Sequence, residues 1–85
     1  MARKQAALPR VSPEQGAAVE RELRRRDLAP RLRERLEMVK AVALGQDLAT
    51  IARWSGRSEA TVRHWLGRFA AAGVEALGDA PRRSR

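Results

Sequence analysis

The sequence predicts an all-α domain, a three-helix helix-turn-helix unit with an extra N-terminal helix. Sixteen of the 85 residues are Ala, and Leu, Glu and Arg, which also favour helices, are frequent. The alternation of polar residues with β-branched and aromatic ones that strands need is missing. The stretch 48–65, LATIARWSGRSEATVRHW, has the spacing of two short helices joined by a tight glycine turn. Such a pair in a strongly basic chain indicates a helix-turn-helix that binds DNA.

The first helix is predicted to begin after Ser12 and to run to about Arg26. Ser12 suits the N-cap, Pro13 suits the first helical position, and Gln15 can reach back as in a capping box. The arginines 24–26 are interpreted as a solvated face near the helix C-terminus, where positive charge suits the helix dipole. Contact with phosphate is the alternative.

The second helix is predicted over about residues 30–44, after the break at Ala29-Pro30. It carries one apolar stripe at the spacing i, i+4, i+7, i+11, formed by Leu32, Leu36, Val39 and Ala43. Gly45 is expected to end this helix, and Asp47 is well placed to cap the next one.

The two helices of the motif are predicted over about residues 48–54 and 59–72. Gly56 can adopt the left-handed conformation that ends the first of them, and Ala52 is small enough to let the two helices approach. Ser58 is the expected N-cap of the second. The second helix buries the stripe Val62, Trp65, Leu66 and Phe69, ends at Gly73, and is followed by a half-turn that folds Val74 and Leu77 onto the core.

One position departs from the usual helix-turn-helix pattern. The residue before the turn glycine is usually apolar, and here it is Ser55. We expect Trp54 to supply the missing packing by bending inward. Stacking of Trp54 on a base is the less favoured alternative, because a duplex has no exposed base face.

The charge predicts a polyanionic partner. The chain has 18 basic and 10 acidic residues, a net charge of +8 and a pI of about 11.7. Sixteen of the basic residues are Arg, which binds phosphate and guanine edges bidentately. A GC-rich genome would explain much of the preference for Arg over Lys but not the net charge. Nucleic acid is therefore expected ahead of an anionic membrane.

Several other classes of protein are not expected. The absence of cysteine excludes disulfides and thiolate metal sites, and is compatible with a reducing cytoplasm. No apolar run approaches the roughly 18 residues of a membrane-spanning helix.

The domain organisation predicted is a flexible basic arm at 1–10, a helical DNA-binding domain at 11–77 and a flexible basic tail at 78–85. The arm either enters a minor groove or has no role.

The predicted DNA contacts lie in the turn and on the outward side of the recognition helix 59–72. Arg63 is expected to read a guanine through O6 and N7, with phosphate contact as the alternative. Glu59 is expected to stabilise the helix N-terminus through its negative charge. Accepting a hydrogen bond from a cytosine amino group is the less favoured alternative. His64 can donate to a base or a phosphate and would make binding modestly pH-sensitive. The full set is Arg57, Ser58, Glu59, Ala60, Thr61, Arg63, His64 and Arg68. No catalytic residue, metal, cofactor or small-molecule ligand is predicted.

Four pieces of the sequence belong together: residues 11–15, residues 35–45, residues 47–65 and an ending in the pattern F-x3-G-x3-L-x-D-x-P-R-x-x-R. The ending is formed by Phe69, Gly73, Leu77, Asp79, Pro81, Arg82 and Arg85. Through these pieces, over roughly residues 11–85, the chain resembles the N-terminal DNA-binding region of bacterial insertion-sequence transposases related to the mariner superfamily. The first three pieces are similar to the opening helix of that region, its first trihelical helix and its helix-turn-helix.

The resemblance implies a homeodomain-like trihelical fold and binding to the terminal inverted repeats of a mobile element in the bacterial cytoplasm. It also implies a catalytic domain with three metal-binding carboxylates, which these 85 residues do not contain. Asp27, Asp47 and Asp79 are expected at a helix end, a cap and a tail. Cleavage and strand transfer are therefore not expected, and the chain is expected to be a fragment, a decayed element or a stand-alone domain.

Two other functions stay open, a stand-alone transcriptional regulator and a helical module that binds an acidic protein. A single helix-turn-helix rarely binds tightly, so a homodimer, a basic arm or a second domain would be needed. Residues 13–28 are the candidate for dimer contacts. Packing of that helix on the other three is the favoured alternative.

Overall fold

A computed structural model describes residues 8–78 and shows only helices in this range. The all-α fold class is therefore confirmed. The helices are α1 (Pro13–Leu23), α2 (Pro30–Ala43), α3 (Leu48–Ser55), α4 (Glu59–Ala72) and a 3₁₀ helix (Gly73–Leu77). Among these residues no helix has the length and apolar character needed to cross a bilayer. Most of the predicted arm (1–7) and tail (79–85, with Asp79, Pro81, Arg82 and Arg85) lies outside the described residues.

The predicted starts of α1, α3 and α4 are confirmed by their capping hydrogen bonds. Ser12 Oγ accepts from the Gln15 amide at 3.1 Å, and Gln15 Oε1 accepts from the Ser12 amide at 2.9 Å, which is a complete capping box. Asp47 Oδ1 accepts from the amide three residues on at 2.9 Å, and Ser58 Oγ does the same at 3.0 Å. Polar caps thus position the starts of α1, α3 and α4.

The connector between α1 and α2 begins earlier than the sequence pattern predicts. Because α1 ends at Leu23, the expectation that it continues to Arg26 was wrong. Arg25 folds back, and its guanidinium bonds the carboxylates of Glu22 at 2.9 Å and Asp27 at 3.2 Å. These bonds support a turn that leads into the extended residue before the proline of α2. The arginines 24–26 therefore lie in a connector and not on a helix face.

The core is one apolar cluster, and α2 lies at its centre. This helix packs against α1 on one side and against α3 and α4 on the other. Leu36 and Val39 of the predicted stripe are buried, but Ala43 is exposed, and Met38 and Ala41 are buried as well. A single stripe was therefore an incomplete prediction for a helix covered on two sides. The buried residues are Val19, Leu36, Met38, Val39, Ala41, Leu48, Ile51, Val62, Leu66, Phe69 and Leu77.

The apolar side of α1 is used within the domain. Val19 is only 1% exposed, and Leu23 and Leu28 pack partly buried against the same core. Burial of a side chain of this size contributes about 1.5–3 kcal/mol. The packing alternative for residues 13–28 therefore matches the structure.

Candidate nucleic-acid interface

The turn between α3 and α4 is closed by a left-handed glycine. Gly56 has φ 74° and ψ 15°, and its amide donates to the carbonyl of Ala52 at 3.0 Å. A Cβ at Gly56 would meet no atom within 4 Å, so the requirement for glycine comes from the backbone conformation and not from space. Ser55 adds two hydrogen bonds of 3.3 Å, donating to the Ala52 carbonyl and accepting from the Arg57 amide. Ser55 thus stabilises the turn by hydrogen bonding where an apolar residue would do so by packing.

Trp54 does not bend inward, so that prediction was wrong. Its side chain is 44% exposed, and its indole N–H donates to Gln46 Oε1 at 2.8 Å. The buried side of α3 is defined by Leu48 and Ile51, and Trp54 lies roughly a quarter of a turn away from it. It therefore lies towards the C-terminal half of α2, beside the exposed Leu44.

The buried side of α4 consists of Val62, Leu66 and Phe69, each at most 2% exposed. Trp65, predicted in the same stripe, is only half-buried. The guanidinium of Arg35 covers its ring at 3.7 Å from the ring centroid. Trp65 therefore lies at the boundary between core and surface, where a cation–π contact replaces apolar packing.

The outward face of α4 is the side opposite this core, and it includes Ala60, Arg63, His64, Gly67 and Arg68. All five are exposed. Exposure was predicted for four of them, since the sequence assigns Ala60, Arg63, His64 and Arg68 to the DNA-binding face. Helical geometry places Ala60, His64 and Gly67 along the middle of the face, with the two arginines on its two edges. Ala60 and Gly67, which lie on either side of His64 along this middle, are small and allow the helix backbone to approach a partner closely.

The arginines near α4 differ in what they bind. Arg57 donates to Glu34 of α2 through two hydrogen bonds, Nε to Oε2 at 2.8 Å and Nη2 to Oε1 at 3.0 Å. Arg68 Nε donates to the carbonyl of Ala76 at 3.0 Å. No hydrogen bond or ion pair with residues 8–78 engages the side chain of Arg63. Of the predicted arginine contacts, Arg63 is thus exposed and, within residues 8–78, not engaged by such a bond.

The pair formed by Glu34 and Arg57 shifts the ionisation of both groups. The hydrogen bonds from Arg57 hold the pKa of Glu34 below its ordinary value, against a smaller opposing effect of desolvation. The same bonds raise the pKa of Arg57. Both charges are therefore stabilised in the folded protein at neutral pH.

A polar groove of about 340 Å³ runs between α2 and α4. Thr61 lies on its α4 side, half-buried, and its hydroxyl accepts from Ser58 Oγ at 3.1 Å. The other lining residues are Arg31, Glu34, Arg35, Met38, Arg57 and Trp65. Glu34 and Arg35 were not predicted as site residues, since nothing in the sequence pairs a residue of α2 with the turn 23 positions later.

The outward face of α4 is a surface of exposed polar side chains. In the stretch 8–78 no three His, Cys, Asp or Glu side chains lie together as metal ligands. What the outward face of α4 offers instead is hydrogen-bond donors on a helix whose N-terminus is capped by Ser58. The amides of Glu59 and Ala60 have no intrahelical acceptor, by the geometry of any helix start, and favour an anion.

Comparison with known proteins gives one family. The sequence model of a family described as winged helix-turn helix matches residues 35–85, which is more than half of the chain. The match begins within α2 and includes α3, the turn and α4. No curated protein and no solved structure matches the chain. In the described part of the matched range, the residues after α4 form a 3₁₀ helix and not a β-hairpin.

Proposed function

Because the chain belongs to the winged helix-turn-helix family, we propose that it binds double-stranded DNA sequence-specifically with α4 in the major groove. The observation that carries this proposal is the outward face of α4. It combines exposed donor side chains, a small-residue centre and a capped N-terminus. A helix of this kind fits the major groove, where each base pair presents a distinct pattern of donors and acceptors.

Arg63 is proposed to read a base, because its side chain is exposed and not engaged by the described part of the chain. A bidentate contact with guanine contributes about 1–3 kcal/mol of discrimination against other bases. His64 lies next to it near the middle of the face and is proposed to contact a base or a phosphate. Arg68, on the opposite edge, is proposed to contact the backbone.

The start of α4 is proposed to contact phosphate. Ser58, Glu59 and Ala60 are exposed, and the amides there point out of the helix. Thr61 is half-buried, and its hydroxyl is already engaged by Ser58. Its proposed contribution is therefore to hold the cap rather than to contact DNA.

We propose that the bound duplex is a terminal inverted repeat of a mobile element. This finer function is supported by the resemblance of residues 11–85 to the DNA-binding region of mariner-related transposases. The chain itself is proposed to bind DNA without catalysing a reaction, in the cytoplasm of a bacterium. A transcriptional regulator using the same face is the competing proposal, and the identity of the target site distinguishes the two.

The experiment begins with selection of a preferred duplex from a random pool by the whole chain. Fluorescence anisotropy then measures binding of the selected duplex and a scrambled one over a range of salt concentrations. We expect preference for the selected duplex and an affinity that falls steeply with salt, because bound phosphates release counterions. Absence of binding to any duplex at low salt, or binding independent of salt, would contradict the proposal. Matches of the selected site to repeat ends support the transposase type, and matches to promoters support the regulator.

A further inference from the structure

Arg57 lies just before the recognition helix α4, where a contact with DNA phosphate is expected. Its guanidinium is instead hydrogen-bonded to Glu34 of α2. Arg57 is the residue after the turn glycine, one position before the N-cap of α4. Its two hydrogen bonds to Glu34, 2.8 and 3.0 Å long, have the fork-on-fork geometry of a bidentate arginine–carboxylate pair. Such a pair fixes orientation as well as distance, which a single point contact would not.

Glu34 provides the fixed end of this pair. Its side chain is 24% exposed, whereas that of Arg57 is 53% exposed. Glu34 belongs to α2, the central helix of the core, and the next residue on that helix, Arg35, covers Trp65 of α4. Arg35 also donates to the carbonyl of Leu77 at 2.8 Å, which connects α2 to the segment after α4.

Two consecutive residues of α2 therefore hold α4 at two points. Glu34 holds the turn where α4 begins, and Arg35 holds the middle of α4 through Trp65. The apolar core between them resists separation of the helices but is non-directional. The polar contacts are directional, so they are suited to fix the angle at which the outward face of α4 is presented.

We infer that Glu34 is a positioning residue for DNA recognition, acting through Arg57 to fix the orientation of α4. The inference rests on the proposed function, since it assigns residues to the selectivity of that same face. It follows that Arg57 makes its main contact with Glu34 and not with a DNA phosphate. A misplacement of the recognition helix reduces the preference for the correct duplex more than it reduces non-specific attraction.

The test compares the selected and scrambled duplexes with wild-type protein and with the variants Glu34→Gln, Arg57→Gln and the charge exchange Glu34→Arg/Arg57→Glu. Glu37→Gln is the matched control, because it neutralises an exposed carboxylate on the same helix. Arg21→Gln is the control for loss of one arginine, because Arg21 is exposed on α1, a helix that packs against α2 and the 3₁₀ helix and not against α4. The affinity ratio of the two duplexes is the readout, since partial unfolding lowers both affinities equally and leaves the ratio unchanged.

We expect each single variant of the pair to lower the ratio about three- to tenfold, within the range of couplings measured for residues in contact. The charge exchange should restore the ratio to within about twofold of wild type. Arg57→Gln should leave the salt dependence at the wild-type slope, and both controls should keep the wild-type ratio.

The inference is overturned if the charge exchange binds as poorly as Arg57→Gln and both have lost about one unit of salt slope. That result would mean that Arg57 contacts a phosphate directly, because each such contact adds about 0.9 to the slope. An unchanged ratio in Glu34→Gln would also overturn it. Failure of the proposed function gives a different result, since wild-type protein would then bind neither duplex.

Discussion

The two sides of α4 carry the same kind of charge but use it differently. On the side that faces α2, Arg35 and Arg57 bond a carbonyl and a carboxylate of the protein. Arg68, at one edge of the outward face, donates through Nε to the carbonyl of Ala76. On the outward side, Arg63 is exposed and makes no such bond with residues 8–78. Arginine near a recognition helix is thus divided between holding the helix and presenting donors to a partner.

Because of this division, the net charge of +8 indicates attraction to a polyanion but does not by itself indicate selectivity. The charge still attracts a polyanion from a distance, because a long-range field depends little on which carboxylate lies nearby. Selectivity depends on the few side chains that remain directed outward. Substitutions on the two sides of α4 should therefore differ in their effects on folding and on binding.

The largest expected effect comes from removing the core that supports both sides. Phe69 is 2% exposed, and Phe69→Ala should destabilise the domain by about 3–5 kcal/mol. This is a large part of the stability of a chain of this size. Urea denaturation followed by circular dichroism measures the change. Arg63→Ala is the matched control on the outward side of the same helix, and it should change stability by less than about 0.5 kcal/mol.

The next largest effect concerns binding alone. Arg63→Ala should weaken binding to the selected duplex by about 1–3 kcal/mol and relax the preference at one base pair. Affinity for the scrambled duplex should change much less. Anisotropy on duplexes with single base-pair substitutions measures this. Equal weakening on every duplex would show that Arg63 contacts only the backbone. Arg21→Ala, which removes an exposed arginine from α1, serves as the control.

The turn glycine offers a pair of substitutions with opposite expected signs. Gly56→Ala should destabilise the domain by about 1–2 kcal/mol, because φ is 74° at this position. Gly67→Ala lies within α4, where a Cβ would meet no atom within 4 Å, and should stabilise the domain by about 0.5–1 kcal/mol. Thermal unfolding of the two variants measures the difference. Equal melting temperatures would contradict the left-handed turn.

The smallest expected effect is a pH dependence of the domain's stability. It comes from the ion pair between Glu34 and Arg57, on the side of α4 that faces α2. Folding lowers the pKa of Glu34 from its ordinary 4.5, so the ion pair stabilises the domain above that pH. The stabilisation is lost as the pH falls through the lower, folded-state pKa. Melting temperature should therefore drop more between pH 7 and pH 3 in wild-type protein than in Glu34→Gln. Glu37→Gln should keep the wild-type drop, and identical drops in all three proteins would mean that the pair does not form.

The local features of the fold were predictable from the sequence. Ser12, Asp47, Ser58 and the glycine at 56 act within three or four residues of their own position, so their caps and turn could be recognised directly. The end of α1 was not, because the competition between helix and turn at Arg25 depends on side-chain bonds that form only once the chain has turned.

The candidate site was predictable in its outward part only. Helical periodicity identifies the exposed face of α4, including Ala60, Arg63 and His64. The bond between Glu34 and Arg57 joins positions 23 apart in sequence and has no local signature. The position of Trp54 was predicted wrongly for a related reason. Ser55 forms its hydrogen bonds only in the folded turn, and these bonds make an inward-facing tryptophan unnecessary.

The most direct test of the account is the titration of isotopically labelled protein with the selected duplex, followed by amide NMR. We expect chemical-shift changes concentrated in residues 57–68 and largest on the outward face of α4, with much smaller changes in α1 and around Trp54. Largest shifts in α1 or beside Trp54 and Leu44, with the outward face of α4 unchanged, would contradict the claim that this face recognises DNA.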